Sequence, residues 1–442
     1  MRQTNESETV IIGGGTAGSI LASKLSEDPK VSVLVLEAGG NNSMLETKAP
    51  LLFSKLFHTE HDWDYSTVPQ QNVANRKLYW PRGRMLGGSS SMNAMIYHHC
   101  SKSDFDEWSS EHGCTGWGYN DIAPYFRRME NFTINPNRPA INMEHRGKGG
   151  DWQTGYSYLS EIVEDGFLPA CVEAGIAANE DINTVNGSMG VTRLQSFIDS
   201  KGQRSSMATA YLPNSVRQRP NLYVATKAHV TRVLFDTITT DTPTAIGVEF
   251  QTKKGGEKYQ VHAKREVILA SGAINTPQLL KLSGIGPEEE LKKHNLPTIK
   301  VSEAVGTNLK DHLCASGIMC KTKPGYTLDY LTSDIKAIPS LIRWLITGGG
   351  PLASNVGEAG AFIRVVDHPA STCAEENKPK DYGSGGVGPD IELLCAPLAY
   401  IHHGEENARP GESVFGLVPI SLRPQSSGTV TLKSDDPFEH RK

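Results

Sequence analysis

Gly13, Gly15 and Gly18 stand in a G-x-G-x-x-G spacing, and Glu37 follows nineteen residues after the last of them. These residue types suit the binding of a dinucleotide. The first glycine permits a tight turn, the second lets the backbone approach a pyrophosphate, and the third lets a helix pack closely on a strand. The N-terminal N–H groups of that helix, and its positive dipole end, then face the phosphates. A carboxylate at Glu37 can accept hydrogen bonds from ribose hydroxyls and would repel the extra phosphate of NADP.

Glycine triads are common in turns, so the flanking elements carry the inference. "TVII" reads as a short buried strand ahead of the triad, and "AGSILASKLS" carries apolar residues at helical spacing behind it. "VSVLVLEAG" reads as a second buried strand that ends on Glu37. Strand, glycine turn, helix and a strand ending in an acid together predict a nucleotide site. The pattern does not separate FAD from NAD.

Two further stretches are rich in small residues. "PRGRMLGGSSSMNAMIYHH", Pro81 to His99, offers amide and hydroxyl donors on a backbone that can lie close to something flat or phosphorylated. It reads equally well as a flexible loop before a strand or helix. "REVILASGAINTPQLLKLSGIG" begins with a buried strand, Val267 to Ala270, turns through Ser271-Gly272-Ala273, and opens a helix at Thr276-Pro277 that Gly284 and Gly286 close.

In this order the pieces resemble the glucose–methanol–choline (GMC) family of FAD-dependent oxidoreductases, which includes choline dehydrogenases and aryl-alcohol oxidases. "GRMLGGSSSMN" is similar to one family signature, and "GAINTPQLLKLSGIG" fits a second at every position. "DFDEW", "GWGYNDIAPYFRRMEN" and "VGTNLKDHL" also stand where relatives carry similar text, so the likeness runs from about Val10 to the last residues. It implies an α/β fold: a doubly wound, Rossmann-like FAD/NAD(P)-binding lobe and an α+β substrate lobe carrying an antiparallel sheet. Residues 1–312 would form the FAD-binding region, with substrate-lobe segments interleaved over roughly 150–220; residues 313–425 would form the substrate lobe, and 426–442 would begin a shortened C-terminal domain.

The resemblance also implies site residues. Gly13, Gly15, Thr16 and Gly18 would hold the pyrophosphate, with Glu37 and Ala38 at the adenosine ribose. Met85, Gly88, Asn93, Ala94, Met95 and Ile96 would line the flavin ring, and the backbone of Val230 would meet the adenine. Some relatives attach FAD through a histidine just before the asparagine that matches Asn93. Met92 stands there, and a thioether cannot form that link, so the expected cofactor is non-covalent FAD. Where many relatives read Arg-Gly, this chain has His99-Cys100.

The implied reaction is oxidation of the CH–OH group of a small alcohol, with electrons passing on to oxygen or a quinone. It needs a base for the hydroxyl proton, and a positioned imidazole suits that task. The family places this histidine in a His-Pro-x-Gly segment about a hundred residues beyond the "GTVTL" stretch, with its partner later still. That lies past Lys442, so no catalytic residue is assigned and the chain is expected to be shortened at its C-terminal end and impaired. Among the fourteen histidines, His368-Pro369 imitates the motif without its glycine, and His98-His99 and His402-His403 are expected to be packing and surface residues. Two other readings remain: a non-catalytic FAD-binding relative, and an NAD-dependent enzyme that shares only the Rossmann start. The second signature counts against the latter.

Composition limits the remaining options. A chain of 442 residues suits two domains, and a net charge of −5 without any lysine and arginine block leaves no nucleic-acid footprint. No apolar run approaches a membrane span, and no secretory leader is visible in "MRQTNESETV", so a cytoplasmic location is expected. Export would require residues ahead of these, and the sequons at Asn5, Asn41, Asn131 and Asn186 would then matter. Seven scattered cysteines, none spaced C-x-x-C, predict neither a metal site nor a disulfide framework. Near the end, "GTVTL" alternates as a half-buried strand does, with "KSDDP" as the turn after it.

Overall fold

The computed structural model describes residues 6–134, 141–238, 242–315, 317–332, 334–367, 380–402 and 406–439. Glu6–Ile12 and Val33–Glu37 form the first two strands, and Thr16–Leu25 is the helix between them. The strand Leu222–Thr226 pairs parallel with Val33–Glu37 on one side, and Lys258–Leu269 pairs parallel with Glu6–Ile12 on the other. Beyond it the sheet turns antiparallel through Thr244–Gln251 and His229–Asp236, making six strands in all.

Alternation along the first strand sorts its side chains onto two cores. Val10 and Ile12 face a cluster that includes Leu36, Val230, Val248, Val261 and Leu279 of the helix Gly272–Leu282. Ile11 faces the opposite cluster, where Ala22, Leu86, Ala208 and Leu212 cover the sheet. Both faces are therefore covered, as a buried parallel sheet requires.

A second, antiparallel sheet of five strands is built from Ile318–Lys321, Val414–Ser421, Ile391–Ala396, Ala359–Ile363 and Gly190–Arg193, in that spatial order. Its outer face, with Val191, Ala361 and Cys395, packs on Leu159, Ile162, Val163 and Phe167. Its inner face, with Leu394, Ala396, Val418 and Ile420, turns toward the first lobe and borders a cavity. The fold is a mixed α/β architecture whose two large sheets are joined, among the described residues, by four two-stranded ones.

Three expectations are corrected. The strand expected over Val267 to Ala270 is the end of a twelve-residue strand, Lys258–Leu269, with Ala270 just outside it. The helix after it begins at Gly272 rather than at Thr276-Pro277, so Pro277 lies inside it. The carbonyl that Pro277 leaves unpaired in the helix is that of Ala273, which is exposed to solvent and need not be buried unsatisfied. Third, "GTVTL" is not a strand. Gly428 exchanges two backbone hydrogen bonds with Leu309, at 2.9 and 2.7 Å, and Val430 N–H donates to Gly306 at 2.8 Å, which is pairing with a loop. Val430 and Leu432 are buried as the alternation required, but alternation encodes half-burial and not the partner that would make a sheet.

Candidate cofactor and substrate site

The first glycine motif folds as its spacing predicts. Gly13 has φ +100°, and a Cβ there would lie 2.6 Å from the carbonyl oxygen of Ala270. A Cβ on Gly18 would lie 1.9 Å from the carbonyl oxygen of Gly13, so helix and strand can approach only at glycine. Gly15 differs. Its Cβ would meet nothing nearer than the Cα of Gly88 at 3.7 Å, and the space beside it is cavity. The helix Thr16–Leu25 has no side-chain cap and no acidic residue in its first turn, which leaves its N-terminal N–H groups for an anion.

The second glycine run is stitched to the first. Gly87 N–H donates to the Gly14 carbonyl at 2.8 Å, and Leu86 N–H donates to Gly40 at 2.9 Å. Gly87 and Gly88 both have positive φ, at +84° and +53°, before a short 3₁₀ turn, Gly88–Ser91. The loop reading and the donor-rich backbone reading of Pro81 to His99 thus describe the same segment, a tight loop tied down beside the nucleotide turn.

Two cavities result. One, of about 440 Å³, is lined by Gly13, Gly15, Thr16, Glu37, Ala38, Gly88, Val230 and the Ala270–Thr276 stretch. Another, of about 370 Å³, is lined by Met92, Asn93, Ala94 and Ile96 on one side and by the inner face of the antiparallel sheet on the other. Arg82 and Ser89 border both. Of the residues expected at the cofactor, Gly18, Met85 and Met95 line neither: Gly18 packs on Gly13, and Met85 and Met95 are fully buried behind the wall.

Glu37 lies at the end of its strand as expected, and its carboxylate accepts from Gly14 N–H and Gly39 N–H, both at 2.8 Å. Burial pushes its pKa up to about 7, while those two amides and the Arg84 guanidinium pull it down. Its backbone partners therefore hold both oxygens in place at the cavity edge.

The histidines separate cleanly. His99 is buried, with Nε2 2.5 Å from the Tyr97 hydroxyl and its ring stacked on Phe126 at 4.2 Å. Burial pulls the pKa of His99 down to about 3 and that of His98 down to about 4, and neither ring lines the two cavities. His402 is an exposed partner of Glu406 at 2.9 Å; His403 and the His368-Pro369-Ala370-Ser371 stretch lie outside the described residues. Within the second cavity, burial raises the pKa of the Tyr400 phenol to about 12 and raises that of the Cys314 thiol. Neither is a base near neutral pH.

Sequence reasoning missed part of the first cavity. Trp63, Tyr65, His229 and Pro437 also line it. Tyr65 donates to Asn275 Oδ1 at 2.6 Å, and His229 Nε2 lies 3.1 Å from the Pro437 carbonyl, with Phe438 4.6 Å from its ring. These contacts join residues up to about 210 positions apart, and no local pattern marks them.

A family model described as GMC oxidoreductase matches residues 7–314. The chain belongs to the GMC oxidoreductase family. Dehydrogenase str4 of Strobilurus tenacellus is 36% identical over 99% of this chain and 72% of its own length. The mitochondrial choline dehydrogenase of Mus musculus is 34% identical over 98% of this chain and 67% of its own. Among solved structures, a formate oxidase of Aspergillus oryzae RIB40, studied for its FAD modification, aligns with a TM-score of 0.89 at 29% identity. That alignment covers 100% of this GMC oxidoreductase and 77% of the oxidase. The family and its solved neighbours are FAD-binding flavoproteins. Among the described residues no helix is long and apolar enough to cross a membrane, and no group of three or more metal-ligating side chains converges.

Proposed function

We propose that this chain binds FAD non-covalently, with its adenosine and pyrophosphate in the 440 Å³ cavity and its isoalloxazine against Ser89–Ile96 in the 370 Å³ cavity, and that it oxidises the CH–OH group of a small alcohol. The observation that carries this is the placement of all three glycine-bearing segments on one continuous wall, with Arg82 and Ser89 at the junction of the two cavities. Gly15 and the N-terminus of its helix would take the pyrophosphate, Glu37 the ribose, and Val230 the adenine. Met92 lies in the cavity wall where a covalent link would form, and its thioether leaves FAD dissociable. Bound FAD supplies a hydride acceptor.

The chain's own residues do the rest. Phe53, Phe57, Ile96, Leu394, Val418 and Ile420 exclude water from the second cavity and hold the alcohol's carbon skeleton against the cofactor-facing segment. Among the described residues Arg82 is the only charged side chain in that lining. No described residue of this cavity can take the hydroxyl proton at neutral pH, because Arg82 is a cation and burial keeps Tyr400 and Cys314 protonated. We infer that these residues bind cofactor and alcohol and, with no base in the described lining of this cavity, pass the hydride on slowly. Oxygen or a quinone would accept the electrons. The test is spectroscopic: the purified chain should carry flavin absorbance, and a panel of alcohols added without oxygen should bleach it slowly. A chain that stays colourless when titrated with FAD would sink the reading.

A further inference from the structure

Behind the second cavity lies a charge that the functional reading does not use. Arg204 is 3% exposed. Its Nη1 donates to the Asn93 carbonyl at 2.7 Å, to Asn93 Oδ1 at 2.9 Å and to the Ser90 carbonyl at 3.3 Å. All three acceptors are neutral. Its Nε and Nη2 are buried without a hydrogen-bond partner, and no carboxylate pairs with it among the described residues. Arg146, equally buried, is held by Asp181 and has Glu130 at 3.8 Å. An arginine left uncompensated in the interior is costly unless something else makes use of its charge.

What Arg204 does to Asn93 suggests that use. Asn93 Oδ1 accepts from Arg204 and, at 3.1 Å, from Met95 N–H. With its oxygen claimed twice, the amide must point its Nδ2 donors elsewhere. Asn93 is exposed to the second cavity, and no described protein group accepts from those donors.

We propose that Arg204 is a positioning residue for the cofactor: it locks the Asn93 amide with its N–H donors toward the cavity and sets an unneutralised positive charge behind them. Resting on the reading that FAD fills these cavities, the pair stabilises the negative charge that accumulates on the isoalloxazine when it is reduced. A fixed donor backed by a cation in a water-poor site strengthens exactly this kind of electrostatic contact at no reorganisation cost.

The midpoint potential of the FAD-loaded chain tests it. Arg204→Met should lower the reduced-to-oxidised ratio at fixed potential about ten-fold, a shift of about 30 mV to the negative for a two-electron couple. Arg204→Lys keeps the charge and should shift it less. Asn93→Asp does not depend on the first variant folding: it gives the guanidinium a carboxylate and removes the donors, so the potential should move the same way without loss of melting temperature. Stoichiometric flavin with an unmoved potential in Asn93→Asp, and in Arg204→Met where that folds, overturns this inference alone. A wild-type chain that takes up no FAD overturns the functional reading and this one with it.

Discussion

A Cβ placed on Gly88 would stand 2.8 Å from the Cα of Gly15. The nucleotide turn and the serine-rich loop, far apart in sequence, therefore meet backbone against backbone, and both glycines stand in the wall of the first cavity. The approach is asymmetric, because a Cβ on Gly15 would lie at an ordinary 3.7 Å from Gly88.

The asymmetry separates folding from binding. Gly88→Ala adds a clash and a left-handed residue at φ +53°, and should destabilise the FAD-free chain by about 2 kcal/mol or more in urea unfolding. Gly15→Ala should cost less than about 1 kcal/mol, the scale of a helix N-cap change. Its methyl enters the cavity, so FAD titration should show affinity falling at least ~10-fold, or about 1.4 kcal/mol.

Glu37 makes the FAD-free chain sensitive to pH in a direction opposite to that of an ordinary ion-paired acid. Its folded pKa, about 7, lies above the ordinary 4.5, so the folded state binds the proton more tightly than the unfolded one. The stability linked to that proton is fully present below the unfolded value and is lost as pH rises through the folded one. Between about pH 4.5 and 7.5 the loss should be on the order of 3 kcal/mol. Subtracting the Glu37→Gln unfolding profile from that of wild type should expose this slope. A flat difference would show that the amides of Gly14 and Gly39 cancel burial, and a slope of the opposite sign that they outweigh it.

Lys281 latches the 430–432 segment to the helices beneath it. Its side chain is 2% exposed, and its ammonium donates to Glu290 Oε2 at 2.6 Å and to the Val430 carbonyl at 2.6 Å, while Glu290 Oε1 accepts from Leu432 N–H at 2.5 Å. Lys281→Met should cost about 3–5 kcal/mol, because it strands a nearly buried carboxylate. Adding Glu290→Gln should recover part of that loss. Equal unfolding midpoints for the single and double variants would show that the pair does not act as a unit.

The nucleotide half was legible in the sequence because its constraints are local. Gly13 must turn at positive φ, Gly18 must leave room for a carbonyl, and Glu37 ends the adjacent strand; each requirement falls on a residue type at a fixed spacing. Helix Gly272–Leu282 was read with the right end and the wrong start, since a proline inside a helix is tolerated where the freed carbonyl is exposed. "GTVTL" was read as a strand because period-two burial is the same in a ladder and in a segment clamped by loops.

By itself, then, the sequence determined which backbone positions must be glycine, where a dinucleotide's phosphates can approach, and the family to which the chain is similar, because short-range sterics act through neighbouring residues. Only the tertiary structure decided that Gly15 meets Gly88, that Arg204 stands behind Asn93 with no carboxylate paired to it among the described residues, that the half-buried His98 and the buried His99 stand away from both cavities, and that Pro437 closes on His229. Those relations are set by long-range packing, where burial and the nearest charge, rather than residue type, fix what a side chain can do.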